Sequence, residues 1–431
     1  SFYSNASYTY DDKYVLSGSI RWDRSNLWGT NSKYQNKPLW SVGGSWNIYK
    51  EKFFQADFVD MLKLRASYGI GGNIGRNTAP YLIASYYDSS LVDGMAGSVN
   101  TPPNKDIRWE KTTTVNVGVD FALFRHRLSG TIEYYNKYSV DLLAAINGSP
   151  TQGFGYTTLM TNNGKMVNRG VEITLSGEII RQKDFSWNAS LLYAFNRNKV
   201  KHISVQPSLW DSRISMPTSY PMVGKPLYGI YAYKWAGLNE NGDPQVYDAE
   251  NNVTSGPARD YHALVYCGTT VPIHNASLTN VLRYKGFEFS AMLILDAGHK
   301  LRSSNIPSIN MSNGRITSTA KGIVDRWTQP GDVTDVPRLL FSNDTENFNT
   351  HRTELYRYSD LFVYDASNIR LSNISLAYRV PAHWCKKISL SGARLQFNVE
   401  NVATFAFDSK ANYDLGGKVK PNYVWGLYLN F

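Results

Sequence analysis

The chain has 431 residues, 42% of them hydrophobic and 14% aromatic, with a formal net charge of +10. Mean hydropathy is −0.37 and no run of 18 apolar residues occurs, which excludes a membrane-spanning helix. The basic residues are scattered rather than clustered, which argues against a nucleic-acid partner and fits a surface near anionic lipid headgroups.

Alternation of apolar and polar residues sets the predicted elements. Ser1 opens directly into an alternating segment, so the sequence reads as a piece of something longer. Phe2–Tyr10 reads as a strand, Asp11-Asp12-Lys13 as a tight turn and residues 14–24 as the partner strand. After a polar stretch to Lys37, strands are predicted over 38–49 and 61–71, followed by a long loop over 72–107 rich in Gly, Asn, Ser and Pro.

The clearest pattern lies in residues 108–143. Val115, Val117, Val119, Phe121 and Leu123 share one face, opposed by Asn116, Gly118, Asp120 and Ala122. A basic turn at Phe124-Arg125-His126-Arg127 leads back into Leu128, Gly130, Ile132 and Tyr134, opposed by Ser129, Thr131, Glu133 and Tyr135, which makes an antiparallel hairpin. By itself this admits two solvents for the apolar face: a second sheet in a soluble sandwich, or lipid in a membrane barrel.

Further strands are predicted over 165–180, 185–198, 227–238, from 245, then 272–284, 287–297, 366–380, 391–403 and 420–431. The connections alternate short and long throughout. A sandwich has no reason to keep that parity, and roughly fifteen strands is too many for one sandwich. A transmembrane barrel keeps it, with periplasmic turns on one rim and large external loops on the other. The fold class is therefore all-β, a transmembrane antiparallel β-barrel. The terminal aromatic Phe431 has the form of a membrane-insertion signal, which puts the short turns in the periplasm. Cys267 and Cys385 then fall at opposite ends of the barrel, too far apart for a disulfide.

Little in the sequence points to chemistry. Histidines such as His126, His202, His262 and His383 lie in no metal-ligand spacing and near no nucleophile motif, so no catalytic residue, metal or cofactor is assigned. The oxygen-rich segment 239–243 has a calcium-site look but lacks the glutamate of a full loop, and reads as a tight periplasmic turn. In 326–332, Pro330-Gly331 reads as a loop turn. Exposed loop rings are the best candidates for binding cargo, and Trp28, Tyr81, Tyr86, Tyr87 and Trp210 are selected because sugar faces and apolar side chains both stack on aromatic surfaces.

Several segments taken together resemble the SusC/RagA family of TonB-dependent outer-membrane transporters. They include Leu62-Lys63-Leu64-Arg65-Ala66-Ser67-Tyr68-Gly69, Arg108-Trp109-Glu110-Lys111, Asn168-Arg169-Gly170-Val171-Glu172, Gly224-Lys225-Pro226-Leu227-Tyr228-Gly229, Arg326-Trp327-Thr328-Gln329-Pro330-Gly331-Asp332 and Ser367-Asn368-Ile369-Arg370-Leu371. Asp408-Ser409-Lys410-Ala411-Asn412 departs from the acidic Asp-Pro-Glu often seen in the family. The resemblance implies that residues 1–431 are the carboxy-terminal part of a plugged barrel of about 22 strands, with the plug and the amino-terminal domain lying outside this chain. It implies a SusD-like surface lipoprotein as lid, energy through TonB-ExbB-ExbD, a glycan or peptide cargo, and dimers of SusC–SusD pairs within outer-membrane lipid. No enzymatic activity is implied. A structural or adhesive surface barrel and a passive porin are the alternatives, and a plug with a TonB-contacting segment on the parent chain discriminates against both.

Overall fold

The structure, a computed structural model, describes the chain except for residues 24–30, 32–33, 35–37, 74, 76–79, 92–93, 148–150, 152–157, 206, 208–211, 257–259, 312–318, 342–349 and 417–419. In chain order the strands are β1 (Phe2–Tyr10), β2 (Tyr14–Trp22), β3 (Leu39–Asn47), β4 (Val59–Asn73), β5 (Ile83–Ser89), β6 (Gly94–Thr101), β7 (Glu110–Leu123) and β8 (Leu128–Asn147). Next come β9 (Thr158–Arg181), β10 (Phe185–His202), β11 (Gly229–Tyr233), β12 (Trp235–Leu238), β13 (Pro244–Tyr247), β14 (Val253–Thr254), β15 (Leu264–Thr269) and β16 (His274–Tyr284). The series ends with β17 (Phe287–Ala297), β18 (Lys300–Arg302), β19 (Asn310–Met311), β20 (Leu340–Phe341), β21 (Val363–Asp365), β22 (Asn368–Arg379), β23 (Gly392–Ala406) and β24 (Asn422–Asn430).

Thirteen of these form one sheet in the order β1-β2-β3-β4-β7-β8-β9-β10-β16-β17-β22-β23-β24, every neighbouring pair antiparallel. Neighbours in the sheet are neighbours in sequence, so each strand is joined to the next by a turn or an insertion on one rim. One rim carries tight turns, at Asp11-Asp12-Lys13, Phe124–Arg127 and Lys285-Gly286, with left-handed backbone at Asp11, Asp12, Phe124, Arg125, His126 and Lys285. The other carries the long connections.

Register keeps one side of the sheet apolar from strand to strand. One row runs Leu16–Gly44–Ala66–Val117–Tyr134–Val171–Phe195, another Leu62–Phe121–Gly130–Leu175–Leu191–Leu278–Leu293–Leu371. Much of this outward face is bare of packing: Leu16 is 60% exposed and Val117 47%. The opposite face is polar, with Arg65, Asn116, Asp120, Glu133, Glu172 and Asn275 on it.

The structure corrects the predicted strand count. Residues 227–238 and the segment from 245 are not barrel strands: β11 pairs with β15 rather than with the main sheet, and β12, β13 and β14 make a small sheet of their own. The main sheet therefore has thirteen strands rather than about fifteen, and 203–273 is a single insertion. Segment 239–243 is accordingly not a periplasmic turn, since it lies within this insertion on the long-loop rim. The 72–107 loop contains a hairpin, β5–β6, which pairs only with itself. Both cysteines are unpaired, Cys267 in β15 and Cys385 in the helical turn Ala382–Lys386, and by topology they fall on opposite rims.

Candidate functional site

On the inner face, short side chains leave room for a charged cluster. The Arg65 guanidinium straddles Asp120, with Nε donating to Oδ2 (2.8 Å) and Nη2 to Oδ1 (2.9 Å), and also donates to Glu133. The Thr131 hydroxyl donates to Asp120 Oδ1 (3.1 Å). Gly118 permits this, because a Cβ there would lie 3.1 Å from Arg65 Nη2. One row higher, Tyr135 lies flat over Gly170, where a Cβ would fall 2.4 Å from its ring, and Lys137 sits 4.9 Å from the same ring. Such a wall suits a water-filled lumen rather than a protein core.

Towards the long-loop rim, β8 and β9 outlast the roughly 9–11 residues a strand needs to cross a bilayer. Asn162 ties their upper ends to the start of β7: its Nδ2 donates to the carbonyls of Arg108 (2.9 Å) and Asp141 (2.7 Å), and its Oδ1 accepts from Arg108 N (3.0 Å). Arg108 closes the knot with an ion pair to Asp141 at 2.7 Å. A cleft of about 350 Å3 opens beside these extensions, lined by Leu142, Ala144, Met166, Val200, Pro221 and Leu227.

Among the described residues the buried hydrophobic clusters lie in the two largest insertions, 203–273 and 298–367, which fold into one mouth module. Tyr231, Tyr233, Val246, Ala263 and Leu264 of the first pack with Leu355 of the second, and Ile309, Tyr356 and Phe362 form an adjoining cluster. Backbone joins them through Tyr233 N to Tyr358 O (2.9 Å). Arg302 donates to the carbonyls of Tyr231 (2.6 Å), Arg357 and Ser359 (3.2 Å each).

The strongest cross-link is ionic. Asp243 accepts from Arg338 Nε (3.0 Å) and Nη2 (2.8 Å) and from Arg352 Nε (3.1 Å). Arg352, its side chain 3% exposed, spends its remaining donors on Ile309 O, Asn310 Oδ1 and Arg338 O. Burial works against the charge on Arg352 and the Asp243 carboxylate supports it. The Asp243 carboxylate and Asn239 Oδ1 are thus committed to arginines and to backbone N–H groups, Asn239 Oδ1 accepting from Asn241 and Asp243. Asp243 makes this segment a structural latch between the two insertions. Trp327 packs over Gly242, and Gln329–Asp332 forms the expected turn, with Gly331 at φ +98°. Burial pushes the Cys267 thiol up to about 11, so it is no ready nucleophile.

The sequence-selected rings do not converge with these features. Tyr81, Tyr86 and Tyr87 are exposed on and beside the β5–β6 hairpin, Tyr86 and Tyr87 on opposite faces of β5. Trp28 and Trp210 lie outside the described residues. Asp243, Arg338 and Arg352 were missed. No local pattern announces them, since the three come together only when two insertions meet.

Residues 1–402 match the family described as TonB dependent receptor-like, beta-barrel. The chain belongs to that family. The TonB-dependent receptor P3 of Formosa agariphila is 27% identical over 99% of this chain and 43% of its own length. The TonB-dependent receptor SusC of Bacteroides thetaiotaomicron is 25% identical over 93% of this chain and 40% of its own length. The chain thus spans less than half the length of these relatives. Among solved structures, the RagAB peptide transporter superposes with a TM-score of 0.79 at 23% identity, covering 100% of this chain and 47% of that one, a likeness of fold. Receptors of this family are outer-membrane proteins, so the exposed apolar face meets lipid and the long-loop rim is external.

Proposed function

We propose that this chain forms the carboxy-terminal barrel wall and external mouth of a TonB-dependent importer, which carries oligosaccharides or peptides inward without covalent chemistry. One observation carries the reading: a sheet greasy outside and charged inside is crowned on one rim by a folded mouth module. Both end strands, β1 and β24, are solvent-exposed along nearly their whole length. An open sheet edge cannot persist in hydrocarbon, which supports closure by strands supplied from outside these residues. A plug inside the lumen, energy delivered through TonB-ExbB-ExbD and a SusD-like lipoprotein over the mouth complete the proposal, with pairs of such complexes as the assembled form. Tyr81, Tyr86 and Tyr87 are the described rings offered to cargo or lid. Phe431 serves as the insertion signal.

Uptake of labelled oligosaccharides and of labelled peptides by cells carrying the parent protein tests this, with and without an uncoupler of the proton gradient. Uncoupler-sensitive accumulation of one cargo class is the expected outcome. Passive equilibration unaffected by the uncoupler points to a porin and sinks the importer, and surface attachment with no entry points to an adhesin.

A further inference from the structure

The outward face of the sheet is almost free of charge. At its paired positions across all thirteen strands, the charged residues are Lys111, Lys165, Arg169, Arg197 and Lys199, all basic and all on β7, β9 and β10. All five are exposed and make no ion pair or hydrogen bond to another described residue, although Arg197 lies near enough to Tyr266 of β15 to favour its phenolate. No carboxylate occupies a paired outward position on these strands; Asp141, at the β8 bulge, is taken up by Arg108.

Their arrangement is costly as it stands. Arg169 and Arg197 are directly opposed across the β9–β10 ladder, and Lys199 is one outward row above Arg197. Like charges in direct cross-strand opposition destabilise a sheet, and here no described acid offsets them.

Height on the barrel indicates what does. The row of Arg169 and Arg197 includes Val115, eight residues up β7 from Leu123 at the short-turn rim, and Lys111 stands four residues higher. At ~3.3 Å per residue and a tilt of ~40°, these levels are about 20 and 30 Å along the membrane normal. The apolar band of such barrels is about 25 Å tall, so the cations straddle its external boundary. Directly below them, Val117, Tyr134, Val171 and Phe195 continue the lipid-facing wall, and Tyr138 stands between Thr113 and Val167 in the row of Lys199.

We infer that Lys111, Lys165, Arg169, Arg197 and Lys199 form a binding site for a phosphorylated glycolipid of the outer leaflet. Its phosphates neutralise the Arg169–Arg197–Lys199 triangle and its acyl chains lie on the apolar wall beneath. Arginine suits this task because its planar fork of donors matches a phosphate in two directions at once. The site lies on the outside of the wall, so it is independent of what passes through the lumen.

The test uses the full parent protein, extracted from its own outer membrane in mild detergent and measured by native mass spectrometry. Phosphorylated glycolipid is expected to remain bound through washing. In the triple variant R169Q/R197Q/K199Q, retention is expected to fall at least about tenfold, because three charge-assisted contacts are lost. A variant of two lumen-facing cations, K63Q/K137Q, is expected to retain it fully. Folding of each variant is scored first by heat-modifiable electrophoretic mobility. Independently of any variant, wild-type protein reconstituted with lipid A is expected to keep that lipid through re-extraction, and with phosphatase-treated lipid A to lose it. Equal retention by the triple variant, or indifference to the phosphatase, overturns the site. Retention of ordinary phospholipid or of an acidic protein in its place overturns the assignment of the occupant.

Discussion

The wall and the mouth of this molecule use the same apolar residue types under opposite rules. In the wall, Leu16 and Val117 are exposed to whatever surrounds the sheet, while Arg65, Asp120 and Glu133 face inward. In the mouth, Tyr231 is 1% exposed and Val246 0%, and the buried Arg352 is paired with Asp243. The wall is stabilised by ladder hydrogen bonds in lipid, where lipid tails take the part of a core. The mouth stands in water and must bury its own apolar surface. Two solvents therefore shape one chain, and the boundary between them runs through the upper ends of β10, β16, β17 and β22.

The largest expected break in this contrast comes at the latch. Asp243→Ala leaves Arg338 and Arg352 without their carboxylate and is expected to cost the mouth module about 3–5 kcal/mol, the usual penalty for stranding a buried charge. Hydrogen exchange checks it: the amides of β11 and β15 should lose protection while those of β7–β10 keep theirs. Equal loss in both regions would mean that wall and mouth form one cooperative unit.

Next in size is a charge placed on the wall. Val117→Arg is expected to cost about 2–4 kcal/mol in a bilayer if the residue sits near the midplane. Urea titration of the protein folded into vesicles measures this, and an unchanged midpoint would mean that Val117 does not face lipid.

The smallest effect is a pH dependence confined to the mouth. Burial alone would raise the pKa of Asp365, but hydrogen bonds from Ser367 (2.8 Å from its backbone N) and the Lys300 ammonium (3.0 Å) outweigh it and hold the carboxyl at about 2. A depressed folded pKa stabilises above the unfolded value of about 4, and that contribution fades as pH falls from there through about 2. The pair is partly exposed, so after screening the loss is on the order of 1 kcal/mol. Exchange protection of β18 and β21 between pH 5 and pH 2.5 should show it, and Asp365→Asn should flatten the profile.

The wall was legible in the sequence because lipid and lumen demand strict alternation over about nine or more residues, as in Val115–Leu123. β1 was placed to the residue on that signal alone. The mouth was not, because it obeys the looser patterning of a small aqueous core. Residues 227–238 read as a wall strand in the sequence. Yet all five residues of β11 are buried, and five residues are too few to cross a bilayer. The β5–β6 hairpin escaped notice because glycine and serine dilute its strands, and the Asp243 latch because its members are about a hundred residues apart.

The mouth module grows from two separate insertions, one between β10 and β16 and one between β17 and β22, and its core is shared between them. Neither insertion is a unit of exchange by itself. A recombination that replaced 203–273 alone would strand Arg352 and strip Leu355 of its neighbours, so variation in the mouth must travel as a matched pair of segments, grafted together or not at all.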